Sequence, residues 1–158
     1  MQRSLMTPEG HRRLVEELQH SKSFLRPKVV QDIAEARAHG DISENSEYED
    51  AKERQALLEG RIRQVETAIA TCEVIDITKV PYKDLVVFGA TVVMASLESG
   101  EEFRYTIVGD LESDVKSGKI SYTSPIGRAM IGKSTGDEVK VETPSGLREF
   151  EIITIQYY

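Results

Sequence analysis

Two kinds of hydrophobic pattern divide this chain. From Tyr48 onward, Ala51, Gln55, Leu58, Ile62, Val65 and Ile69 follow one another at spacings of 3, 4, 3, 4, 3 and 4. That is a heptad seam with one polar position, the pattern of a coiled coil. Upstream, Leu14, Leu18, Leu25, Val29, Ile33 and Ala36 fall near one face of a second helix. Thr7 is a suitable N-cap for it and Pro8 suits the first turn. Pro27 interrupts this helix by removing one backbone donor. The apolar stripe resumes after it, which predicts a kink and not a break. Gly40 stands where a residue of positive φ would end the helix.

About four residues separate the two predicted helices, too few for anything but an antiparallel hairpin. Arms of about 30 residues would be about 45 Å long at 1.5 Å per residue. A following globule of about 80 residues has a radius of gyration of only about 12 Å. The hairpin is therefore expected to project as a finger.

The pattern changes between residues 74 and 84, where Ile75–Tyr82 reads as a linker or first strand. Beyond it, β-branched and aromatic runs predict strands at Leu85–Phe88, Ala90–Leu97, Glu102–Val108, Glu138–Glu142 and Leu147–Gln156. Glu98-Ser99-Gly100 and Thr143-Pro144-Ser145-Gly146 are hairpin turns. Ser124-Pro125-Ile126-Gly127-Arg128-Ala129-Met130-Ile131-Gly132 has the cap, proline and closing glycine of a short helix. The fold class is thus α+β: a helical hairpin over 1–76, then a small sheet with one helix over 77–158.

Charge narrows the function. The net charge is -7 over 158 residues. Up to Asp76 there are 11 Lys/Arg against 15 Asp/Glu, and 9 against 12 beyond it. Neither half has the basic excess that autonomous nucleic-acid binding needs, because phosphate neutralisation drives that affinity. Any nucleic acid would be gripped mainly by a partner. Cys72 is the single cysteine, so an internal disulfide or cysteine-based zinc site is excluded. No apolar run approaches a membrane span and no signal peptide is expected, which together suggest the cytoplasm. No P-loop, nucleophile elbow or dinucleotide fingerprint appears.

The candidate chemistry lies in the bend and the start of the second arm, His39-Gly40-Asp41-Ile42-Ser43-Glu44-Asn45-Ser46-Glu47-Tyr48-Glu49-Asp50. Acidic residues at a helix start ordinarily cap free N–H groups and complement the macrodipole. Asp41 and Glu44 also suit Mg²⁺, which needs few protein carboxylates when substrate and water complete its octahedron. Two carboxylates are too few for a self-sufficient site, but could complete one begun by another protein.

Three stretches carry a family resemblance that covers essentially the whole chain: Ile33–Tyr48, Val87-Phe88-Gly89-Ala90-Thr91-Val92, and Ser124–Lys133. In these the chain resembles the Gre transcript-cleavage factors of bacterial RNA polymerase. The resemblance implies an FKBP-like C-terminal domain that docks at the mouth of the polymerase secondary channel, and a coiled coil that enters it. It implies that Asp41 and Glu44 share a Mg²⁺ ion completed only at the polymerase active site. It implies that the protein is a cofactor for the polymerase's own endonuclease activity, cutting backtracked RNA and rescuing arrested complexes. Arg37 and Lys52 would contact the nascent RNA 3′ segment. Thr123, Ser124 and Pro125 match the docking region, although family members often have an acid where Thr123 stands. The expected partners are the polymerase and this RNA, with no membrane and a monomeric factor.

Other readings remain for the residues themselves. Arg37 and Lys52 could be ordinary solvated cations with local pairing such as that around Asp32, and Tyr48 fits seam packing better than base stacking. A channel-binding inhibitor of the same fold lacks the support of the acidic pair and the Gly40 bend. A prolyl isomerase is suggested only by the C-terminal fold, and 10 aromatic residues without tryptophan are few for a proline pocket.

Overall fold

The computed structural model describes residues 4–39, 46–81 and 83–158. Gly40, Asp41 and Glu44 lie outside the described residues. The chain divides into two compact units, one of His11–Thr71 and one joining Met1–Gly10 to Cys72–Tyr158. The second unit thus takes in an N-terminal segment as well as the sheet, a grouping that a single boundary near residue 76 does not express.

The first unit is the helical hairpin. α1 (Pro8–His20) leads into a π-helical turn at Ser21–Leu25, then α2 (Arg26–Ala38), and α3 (Ser46–Thr71) forms the return arm. Every residue of the heptad seam of α3 is buried or half-buried, with Ala51, Ile62 and Val65 at its centre. Ion pairs stitch the arms: Lys22 to Glu66 at 3.4 Å, Arg26 to Glu59 at 2.8 Å and Asp32 to Arg54 at 3.1 Å. Numbers rise on one arm as they fall on the other, so the arms are antiparallel.

Pro27 leaves the chain helical. His20, Leu25 and Arg26 all keep right-handed helical angles, and Arg26 N–H bonds to the Ser21 carbonyl, five residues back. The wider turn just ahead of the proline relieves the clash between its ring and the preceding carbonyls. It also rotates the stripe: Ser21 is buried at 4% exposure, whereas Leu25 is 36% exposed. The apolar positions therefore do not run in phase through Leu25 as their spacing suggests.

In the second unit, β3 (Thr91–Ser96), β4 (Glu102–Val108), β5 (Lys119–Ser121), β6 (Glu138–Thr143) and β7 (Gly146–Gln156) form a sheet ordered β5-β4-β3-β7-β6. Only the β4–β5 pair is parallel. α4 (Pro125–Met130) contributes Met130 to a core with Val86, Val92, Met94, Ile107, Val139, Phe150 and Ile152. The alternation that predicted β3 and β6 is visible in their burial, Val92 with Met94 and Val139 with Val141.

Leu85–Phe88 is not a strand. Asp84 and Gly89 flank it with φ of 54° and 90°, and Val86 bonds to the turn residues Gly132 and Lys133 and not to a strand. The run is apolar because Val86 and Phe88 enter the core. Within Ile75–Tyr82, Ile77–Lys79 is a 3₁₀ turn capped by Asp76, whose carboxylate accepts from Thr78 N–H at 3.0 Å. A two-stranded parallel pair, β1 (Ser4–Met6) with β2 (Cys72–Val74), was not anticipated by the pattern.

Candidate functional site

On the hairpin, α2 ends at Ala38 with His39 as its C-cap, and α3 begins at Ser46. Asp41 and Glu44 belong to the segment between them. The residues on either side of this segment form two chemically different flanks. Arg37 lies over the ring of half-buried Tyr48, 5.6 Å from its centroid, joining the two arms by a cation–π contact. Lys52 follows Tyr48 by one helical turn, so it shares that flank, and its ammonium reaches Gln55 at 3.4 Å. Of the two candidate RNA-contacting groups, Arg37 thus lies over the Tyr48 ring and Lys52 stands one helical turn further along the same arm as Tyr48.

The other flank is acidic. Asp32, Glu35, Ala36, His39, Glu47, Asp50 and Arg54 line a shallow cavity of about 370 Å³. Lys28 and Arg54 donate to Asp32 and hold its carboxyl below the ordinary carboxylate range. Further along, Arg26 grips Glu59 through two parallel hydrogen bonds of 2.8 and 2.9 Å, and Glu59 is likewise held low. The local pairing anticipated around Asp32 is present, whereas Arg37 pairs with an aromatic ring. Among the described residues no group of three or more His, Cys, Asp or Glu side chains could hold a metal ion.

In the second unit, Ser124 is the N-cap of α4: its hydroxyl accepts from Gly127 N–H at 3.1 Å and donates to the Ser121 carbonyl at 2.6 Å. Pro125 is exposed at the first helical position, where its missing N–H costs nothing. Thr123 supplies no acid, but its hydroxyl and that of Ser121 both donate to the carboxylate of Asp110. The exposed Asp110 therefore places a negative charge beside Thr123. Eleven and thirteen residues separate these partners, so no local spacing pointed to Asp110.

No helix among the described residues is long and apolar enough to cross a membrane. Residues 4–74 match the family model described as the N-terminal domain of transcription elongation factors, and residues 81–157 the one described as their GreA/GreB C-terminal domain. The chain is 52% identical over 155 residues to the transcription elongation factor GreA of Xanthomonas axonopodis pv. citri (strain 306), covering 98% of both chains. It is 57% identical over 157 residues to that of Anaeromyxobacter sp. (strain K), covering 99% of this chain and 94% of the relative. Among solved structures, the GreA factor homolog 1 protein of Thermus thermophilus aligns over 98% of this chain at 26% identity, with a TM-score of 0.44. With both domain models matched and half or more of its residues shared with such relatives, the chain belongs to the GreA/GreB family of transcription elongation factors.

Proposed function

We propose that this elongation factor, of GreA type, enters the secondary channel of bacterial RNA polymerase and stimulates the polymerase's intrinsic cleavage of backtracked RNA in the cytoplasm. The observation that carries the reading is the order of groups along the hairpin. A carboxylate pair, Asp41 and Glu44, occupies the connection between two long antiparallel arms, and a cation-bearing flank adjoins it. The factor is then a cofactor and not an enzyme by itself, and the polymerase holds the reacting RNA.

Two carboxylates are hard oxygen donors suited to Mg²⁺, and their number suits a shared site. When bound there, the ion would supply Lewis-acid activation of a water. Asp41 and Glu44 would orient that ion and its water. Arg37 and Lys52 would attract the phosphates of the extruded RNA 3′ segment, with Tyr48 holding the Arg37 guanidinium flat against the arm. Thr123, Ser124 and Pro125 would dock the C-terminal domain on the polymerase.

The test is incubation of a halted, backtracked polymerase with the pure protein and Mg²⁺, followed by gel analysis of the RNA. Shortened transcripts that can be re-extended are expected. Asp41→Ala and Glu44→Ala should each lower the cleavage rate at least tenfold without weakening polymerase binding, and added Mg²⁺ should partly restore it. Cleavage at the parental rate by both variants would defeat the proposal.

A further inference from the structure

The loop that carries Thr123, Ser124 and Pro125 follows from the parallel pairing of β4 with β5. Val108 and Ser121 are register partners at the end of that pair. The residues after them, Gly109-Asp110 on one strand and Tyr122-Thr123 on the other, therefore leave the sheet side by side. Tyr122 N–H still reaches the Val108 carbonyl at 3.0 Å. Asp110 is thereby delivered to this loop although it is remote from it in sequence.

The loop is closely packed. The Ser121 carbonyl accepts the Ser124 hydroxyl at 2.6 Å and Ser124 N–H at 3.1 Å. A Cβ at Gly127 would stand 2.2 Å from that same carbonyl oxygen. Ser121 Oγ accepts from Thr123 N–H at 3.1 Å and lies 2.8 Å from the Thr123 hydroxyl oxygen. Both hydroxyls then donate to a single oxygen of Asp110, Oδ1. An exposed aspartate ordinarily keeps its rotamer freedom, whereas this one is held by two donors from the neighbouring strand end. Among the described residues nothing donates to its other oxygen, Oδ2, and no Lys or Arg pairs with the carboxylate. Lys116 and Lys119 lie between the bonded residues in sequence and do not take up that role. A neutral oxygen acceptor would also serve the two hydroxyls. What the carboxylate adds to the loop is a full charge, with one oxygen left for an outside donor.

We propose that Asp110 is a polymerase-binding residue: its free oxygen receives a Lys or Arg side chain of the polymerase when residues 123–125 dock. This rests on the docking role proposed above for those residues. Because the side chain is already held, little rotamer freedom is lost on binding. An ion pair at the border of an interface acts mainly through association and its salt dependence.

The experiment measures the affinity of the full-length protein for the polymerase by competition at low and at high salt. The parent is compared with Asp110→Asn, Asp110→Ala and the double variant Asp110→Asn/Thr123→Asp. Asp110→Asn keeps an acceptor for both hydroxyls and should melt with the parent. It should nevertheless bind about tenfold more weakly at low salt, a deficit that shrinks to within about twofold at high salt, where ions screen the pair. Asp110→Ala should lose the same salt-dependent binding and also melt lower, because the hydroxyls lose their acceptor. The double variant returns a carboxylate to the same loop and should recover to within about threefold of the parent at low salt. Parental affinity of Asp110→Asn at low salt, or a deficit of the same size at both salt concentrations, would overturn the inference, since the carboxylate would then serve only the loop. A parent that does not bind the polymerase would instead defeat the docking role on which the inference rests.

Discussion

The hairpin and the sheet unit are held together by different means. The sheet unit has a contiguous core in which Val86, Val92, Met94, Ile107, Met130 and Val139 are fully sequestered. In the hairpin, α3 buries only Ala51, Ile62 and Val65 over its 26 residues, and much of what joins the arms is exposed ion pairing. A two-helix arm has only a narrow stripe to bury and leaves most side chains in water. The hairpin is therefore the region where charged groups can serve chemistry at little cost to folding. The sheet unit is where a core change is felt.

The largest expected effect tests that contrast from the sheet side. Ile107→Ala removes a fully buried side chain of β4 from the core, and should destabilise the sheet unit by about 3 kcal/mol. Urea unfolding followed by a probe in each unit should show the loss in the sheet unit. The hairpin substitutions Asp41→Ala and Glu44→Ala form the converse. Their loss of cleavage, at least tenfold and equivalent to about 1.4 kcal/mol or more in the barrier, should come with near-parental melting.

Ser124→Ala lies between these extremes. It removes an N-cap and should cost about 1 kcal/mol of stability, while Pro125 substitutions should weaken polymerase binding with the hairpin still folded by circular dichroism. Unchanged affinity in a competition assay would remove this loop from the docking surface.

The smallest effect concerns pH. Asp32 and Glu59 are held below the ordinary carboxylate range by Lys28 with Arg54 and by Arg26. The unfolded chain thus takes up protons first as pH falls. Their stabilising contribution is complete above the unfolded value of about 4 and is lost as pH drops through the lower folded values. Hairpin melting should decline modestly below about pH 4, and Glu59→Gln should flatten part of that decline.

Legibility in the sequence followed the same division. The seam of α3 was readable because every third or fourth position repeats one requirement, and Ser124-Pro125 was readable because caps are local. Leu85–Phe88 misled because burial in a core makes a run apolar whether or not a strand partners it. The β1–β2 pair was missed because three residues per strand give no usable period. The π-turn had only Pro27 as a signal, and a proline marks a disturbance without specifying its form. The contact of Glu112 with Thr7 was out of reach for a different reason: 105 residues separate the two, and either residue alone is unremarkable.

The π-turn also bears on how this arm can change over generations. Such a turn is an α-helix holding one surplus residue. Loss of any single codon between Ser21 and Leu25 could be absorbed by tightening the turn to ordinary α-helix, leaving both flanking stretches in their present phase. In α3 the same loss has no slack to draw on. Every residue beyond it would swing by about 100°, and the seam would mesh the wrong faces. On this account one arm of the hairpin has slack for a deletion that the other lacks, and the slack is the wide turn in which Arg26 N–H bonds five residues back instead of four.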